Sequence, residues 1–336
     1  MHTPKYGQCR FLFLKGRHVR LYRVLSMKKY VIKRLISLIP LLLILSFFSF
    51  LLLDMAPGDP AEKKLAAQGI AVTKEVIEAE RIRMGLDRPF LTRYFAWLFG
   101  ALRGDLGVSY KDGFPVMGKL MDGLGKTCQL AVSSLVLSLL VSVPVSVICA
   151  VRQNSLFDNV FRIVSFAGNS VPNFLISVLL MFMFCIRMKI FPVIAGDSFS
   201  GLFLPVISLA IPMTGRFIRQ FRAEIINQLE QDFVTGIRAR GVRETVVLFR
   251  NVLYNALGHM ITIAGLSIGT LMGGSVVIET IFRWSGIGKL VMDSITARDY
   301  PVVQGFVLIM GVMYLVIGLV TDLIFVTLDP RTEITS

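Results

Sequence analysis

Few residues of this chain have the type and spacing to do chemistry. Gly125-Lys126-Thr127 ends like a phosphate-binding loop, where backbone N–H groups cradle phosphate oxygens. That loop needs a glycine five positions before Gly125, and Leu120 stands there with no strand pattern ahead of it. Nucleotide chemistry, if the system uses it, belongs to another chain. Glu279 sits at one end of an apolar run and Asp322 near the end of the last. A proton pathway needs several carboxyl groups at mid-membrane, so Asp322 is expected to cap or pair with a neighbour. His2, His18 and His259 are scattered, and Cys9, Cys128, Cys149 and Cys185 form no CxxC pair. The cysteines read as small apolar fillers. No Ser/His/Asp set, HExxH or paired catalytic carboxylates stand out. The sequence predicts no enzyme active site, no cofactor and no metal site.

The remaining chemistry is docking. Gln231–Asn255 is polar, basic and still helically patterned, with Phe233, Ile237, Val242, Val246, Phe249 and Val252 at three- to four-residue spacing. Gly241 interrupts it, which predicts two short helices with a bend. An amphipathic helix can lay its apolar face into a partner's groove. The alternative is a solvated basic loop that only sets topology, and pattern alone leaves both open.

The elements that would position this stretch are membrane spans. The 336 residues are 54% hydrophobic and 17% charged, with mean hydropathy +0.68, which excludes an ordinary soluble domain. The net charge of +14 sits mostly beside apolar runs, so it fits membrane orientation rather than nucleic-acid binding. Residues 1–26 form a basic extension, and a second start-like sequence begins at Met27. The first span falls within 27–53 and exits through the rigid Pro57-Gly58-Asp59-Pro60 turn. Residues 54–123 read as an extracytoplasmic insertion. It has a surface helix over 62–84, an aromatic amphipathic helix over 90–102, and a turn at Arg103-Gly104-Asp105-Leu106-Gly107. Residues 124–330 hold the remaining spans, at 130–151, 163–186, 202–217, 261–281 and 305–328, with a cytoplasmic loop at 219–255. About six helices place both termini in the cytoplasm, and the arginines around the inner loops agree. Arg187 and Lys189 fall on the other side and count against it. Gly265, Gly269, Gly273 and Gly274 give one smooth face on the fifth span, for packing within the chain, for lining a pathway or for joining two subunits.

Several stretches taken together resemble permeases of the dipeptide/oligopeptide/nickel class of ABC importers. They are Arg34-Leu35, Ile39-Pro40, Pro57-Gly58-Asp59-Pro60, Gly85-Leu86-Asp87-Arg88-Pro89 and Leu102-Arg103-Gly104-Asp105-Leu106-Gly107. Further along come Asp232-Phe233-Val234, Arg238-Ala239-Arg240-Gly241, Glu279-Thr280-Ile281-Phe282, Gly286-Ile287-Gly288, Ala297-Arg298-Asp299-Tyr300-Pro301 and Leu328-Asp329-Pro330-Arg331. The resemblance covers about residues 27–332. It implies an all-α membrane protein with the type I importer permease fold in a bacterial cytoplasmic membrane. It also implies a second homologous permease, two cytoplasmic ATP-binding subunits and an extracytoplasmic solute-binding protein as partners. Asp232, Phe233, Ile237, Arg238, Ala239, Arg240 and Gly241 would then form the loop that couples to the ATPases. The cargo would be peptides, or nickel and its chelates. A proton-coupled secondary transporter is the alternative. The chain departs from the family at Gly236-Ile237, where Thr-Ala is usual, which implies a roomier groove on the ATPase. It departs again at Lys126, at Gly258-His259 and at Trp284-Ser285.

Overall fold

In the computed structural model, residues 31, 34, 36–68, 73–196 and 198–328 are described. The basic extension, Lys28, Lys29, Lys33, Leu35, Cys9, His2, His18 and Asp329-Pro330-Arg331 lie outside them. The described residues form helices with no strand, apart from one isolated bridge between Val108 and Pro115. In chain order the helices are α1 (Ile36–Asp54), α2 (Pro60–Ala67), α3 (Lys74–Arg83), α4 (Phe90–Leu102) and α5 (Val116–Val151). Next come α6 (Leu156–Ser170), α7 (Asn173–Leu180), α8 (Phe199–Leu229), α9 (Asp232–Ala239) and α10 (Glu244–Val246). Last are α11 (Leu253–Phe282), α12 (Ile287–Ala297) and α13 (Tyr300–Leu328). Met181–Arg187 extends α7, and Val247–Val252 joins α10 to α11, both as π-helix.

α1, α5, α8, the joined Glu244–Phe282 helix and α13 are each long and apolar enough to cross a membrane. The span expected over 163–186 is a bent pair of helices. α6 and α7 meet at an angle of 96°. Pro172 is the cause: a residue before proline is pushed out of the helical region, and Val171 is extended at φ −83°, ψ 127°.

The second span also differs from its hydropathy. α5 begins at Val116, fourteen residues before the apolar run at Leu130, and its 36 residues reach ~54 Å. That exceeds a hydrocarbon core of ~30 Å, so its first turns stand in the insertion, where Leu120 packs with Leu106, Ile287 and Val302. α8 is the central helix of the bundle. Serines 134, 138, 142 and 146 put small side chains on one buried face of α5. Small residues allow close backbone approach, and Ser138 Oγ lies 3.2 Å from the α8 carbonyl of Ala210.

α1 is held at the periphery by polar contacts. Ser49 donates to Gln304 Oε1 (2.8 Å), and Gln304 Nε2 donates to the Ser46 carbonyl (2.9 Å). Arg34 pairs with Asp322, as expected for a carboxyl group near the end of the last span. In the insertion, α4 packs Phe90 and Tyr94 against Phe47 and Phe50 of α1, with ring centroids 5.3–5.7 Å apart. The surface helix expected over 62–84 is two helices, α2 and α3. Asp59 caps α2 by accepting from the Ala61 N–H (2.9 Å). Asp299 is buried and accepts from Ser109 Oγ and from the Tyr110 N–H (2.8 Å), which ties the insertion to the start of α13.

Candidate functional site

The basic stretch leaves the bundle where α8 ends. α9 opens with Asp232 in its first turn, where an acidic side chain suits the helix dipole. It closes at Arg240, and the chain reverses through Gly241 at φ +75°. That is left-handed backbone, which glycine adopts without steric cost. Arg238 bridges the bend with two hydrogen bonds to Glu244, Nε at 2.8 Å and Nη2 at 3.1 Å. These hold the guanidinium above the ordinary arginine range.

The six apolar residues expected on one docking face divide between two. Val252 is fully buried, and Ile237 and Val242 pack half-buried against the bundle core. Phe233, Val246 and Phe249 are 37%, 39% and 64% exposed. The inward anchors are Val234, Val247 and Val252. The split begins in α9, where Ile237 lies ~60° around the helix from the buried anchor Val234 and Phe233 ~100° from it; the Gly241 bend resets the pattern before Val242, and the π turn shifts only Phe249 and Val252. Ile237 packs part of its bulk within this chain. Ala239, Arg240 and Gly241 are exposed at the tip, beside exposed Asp232, Phe233 and Arg238.

Behind this surface lies a buried ion pair. Asp158 in the first turn of α6 is fully buried and receives Arg222 of α8 in fork geometry, Nε to Oδ1 at 2.6 Å and Nη2 to Oδ2 at 2.7 Å. Asp158 Oδ2 also accepts from the Asn154 N–H (3.0 Å), and Ser155 Oγ accepts from the Asp158 N–H (3.2 Å). The pair fixes α8 to α6 about two turns before the basic stretch begins. Sequence reasoning missed it. Its one local signal is Ser155-x-x-Asp158, a helix-start pattern; the arginine lies 64 residues away.

A second polar knot closes the opposite end of the bundle. Glu279 is fully buried and accepts from Thr127 Oγ1 (2.7 Å) and from the Gly288 and Lys289 N–H groups (2.8 and 3.1 Å). Thr127 Oγ1 accepts in turn from the Ile287 N–H (2.9 Å). Gly125-Lys126-Thr127 is thus interior helix in α5 that clasps the start of α12. Of the four glycines on the fifth span, Gly265 lies against Thr321 and Gly269 against Tyr314, both on α13. Gly273 and Gly274 have nothing within 4 Å of an added Cβ. The four do not share one contact, and none of them lies beside the basic stretch.

Two family models cover most of the chain. Residues 27–131 match the N-terminal region of binding-protein-dependent transport system membrane components, and residues 142–334 match the inner membrane component itself. The chain belongs to this family. It is an inner-membrane ABC importer permease of several spans. It is 34% identical over 304 residues to the glutathione transport system permease protein GsiC of Escherichia coli strain K12, covering 90% of this chain and 98% of the relative. A putative peptide permease protein of Brucella suis biovar 1 is 34% identical over 320 residues, covering 92% of this chain and all of the relative. The fold resembles a chain of the MetNI methionine ABC transporter in an inward-facing conformation, with a TM-score of 0.51 at 15% identity. That likeness covers 63% of this permease and 97% of that chain.

Proposed function

We propose that this permease forms the membrane path of an ATP-driven importer of short peptides. The observation that carries the reading is an exposed helix–glycine–helix surface, Asp232–Val246, at the end of the central helix of a permease of this family. In our reading Phe233, Val246, Phe249 and Arg240 seat in a groove on a cytoplasmic ATPase, and ATP is bound there rather than here. Both termini and the basic stretch are placed in the cytoplasm, and the insertion faces a solute-binding protein outside. A second homologous permease completes the path. Closure of two ATPases would push on α9 and, through α8 and the Arg222–Asp158 pair, on α6, a rigid-body transmission. Peptides are preferred over nickel because the relatives reported above are named for glutathione and for peptides. The test is a crosslink from Arg240→Cys in the assembled importer. Capture of an ATP-hydrolysing subunit is the expected result. Reaction of that cysteine only with reagents added outside the cell would overturn the arrangement.

A further inference from the structure

The break between α6 and α7 lies at membrane depth and exposes polar groups. Gly168 packs against Ile211 of α8, with an added Cβ 3.7 Å from Ile211 Cγ2. Ile211 is twelve residues, ~18 Å, beyond Phe199 at the insertion end of α8, and the break lies about one turn nearer that end than Ile211, because α6 runs antiparallel to α8. Arg216, the first arginine of α8, follows ~8 Å beyond Ile211. Both distances fall inside a hydrocarbon core of ~30 Å.

At that depth Ser170 is exposed, and Asn169 and Asn173 are half-buried. Ser170 Oγ returns to the Phe166 carbonyl (2.8 Å). The carbonyls of Gly168, Asn169 and Ser170 and the N–H groups of Asn173 and Phe174 make no hydrogen bond within the described residues, and neither asparagine amide caps a helix end. Each such group costs several kcal/mol if it faces lipid. Broken helices are tolerated in a membrane only where the break is buried in protein or lines water.

We infer that the Asn169–Asn173 break lines the aqueous translocation path, and that its free amides and backbone groups hydrogen-bond to the peptide bonds of the cargo. Paired donors and acceptors without formal charge match a peptide backbone and leave side-chain identity unread. The peptide contact rests on the reading under Proposed function; the water-lined path does not.

The experiment uses the complete importer, with its ATPases and binding protein, in proteoliposomes. Cys9, Cys128, Cys149 and Cys185 are replaced, and single cysteines are placed at Ser170, Asn173 and the outward apolar position Val164, which is 56% exposed on α6. A charged, membrane-impermeant methanethiosulfonate reacts only with thiols that water reaches. Ser170→Cys and Asn173→Cys should react roughly tenfold or more faster than Val164→Cys, and trialanine should slow both. Rates equal to that of Val164→Cys would overturn the path assignment, as would a crosslink showing the break packed dry against the second permease. Fast labelling without slowing, in an importer that does take up trialanine, would overturn the peptide contact. If the unsubstituted importer does not take up trialanine, the peptide reading fails, and the labelling rates still decide whether the break lines water.

Discussion

Removing Arg222 from its pair with Asp158 should damage the permease far more than removing both residues. Asp158 is fully buried, and both its oxygens are engaged by the Arg222 fork. Arg222→Met strands the carboxyl group, which keeps the Asn154 N–H as a donor and Arg162 as a nearby cation but loses its paired guanidinium. Breaking one side of a buried pair costs about 3–5 kcal/mol. Replacing both members by apolar residues of similar volume, as in D158L/R222M, removes the desolvation penalty along with the attraction and should return the stability to within about 1 kcal/mol of the parent. Arg222→Lys keeps charge and loses the fork, and should fall between them. With Cys9, Cys128 and Cys149 replaced, buried Cys185 provides the assay, because a thiol-reactive dye reaches it only as the bundle opens. By soluble-protein scaling, Arg222→Met should lower the apparent Tm by roughly 6–20 °C, and the double variant by a few degrees. Equal losses in the single and double variants would refute the pair as an energetic unit. Uptake adds a second readout: an importer assembled with D158L/R222M should hydrolyse ATP on its ATPase subunits normally yet transport less peptide per ATP, because a fork that resists sliding has been replaced by adaptable packing.

Four further outcomes follow from the same contacts. Gly241 has φ +75°, which proline cannot adopt, so Gly241→Pro should abolish uptake while the permease still reaches the membrane, measured by uptake and membrane immunoblot; normal uptake would remove the bend from the coupling mechanism. Glu279→Leu orphans the Gly288 and Lys289 N–H groups at about 1–3 kcal/mol each, so α12 should undock more often and trypsin should cut at Arg283, Lys289 or Arg298 roughly thirtyfold faster or more, where cleavage tracks the open population; an unchanged rate would mean that packing alone holds α12. The double variant R34Q/D322N should keep ATP-dependent uptake that survives collapse of the proton gradient, and loss of uptake with preserved folding would favour proton coupling. For Asp112, outside the spans, burial pushes the carboxyl up, but hydrogen bonds from Lys119 and the Phe114 N–H outweigh it and hold it below the usual range. Its stabilisation of the 109–114 loop is therefore present above the ordinary carboxylate range and lost only as pH falls through that lowered value; protease resistance of the loop should hold at pH 5 and above and fail in stronger acid, and Asp112→Asn should flatten the profile.

The parts of this molecule that were legible in its sequence are those decided locally. Hydropathy located the spans, because twenty apolar residues have no other stable place. The aromatic run over 90–102 is helix at the boundaries its pattern suggests, and Gly241 announced its own bend. Asp322 was expected to find a partner and found Arg34. The family motifs were readable for the same reason: order and spacing survive where single residues drift.

What stayed hidden depends on groups brought together from far apart, or on departures from regular helix. Thr127 and Glu279 are 152 residues apart, and Asp158 and Arg222 are 64 apart; in each case neither partner alone looks unusual. Leu130 opens the apolar run of α5, but the helix starts at Val116 because its first turns bury Leu120 against α12 and α13, a contact no hydropathy window includes. Val234 and Val247, outside the expected set, take the inward positions, and the π turn at Val247–Val252 shifts the register of the residues within it; nothing in the apolar spacing distinguishes five-residue from four-residue hydrogen bonding. The 96° break is the instructive case. Pro172 is visible, and so are Asn169, Ser170 and Asn173 around it, yet the surrounding hydropathy reads as one apolar run with no sign of a bend. Polar side chains flanking a proline inside an apolar run cost too much to keep in lipid. Their presence there argues that this part of the span meets water, and water inside a permease is where cargo moves.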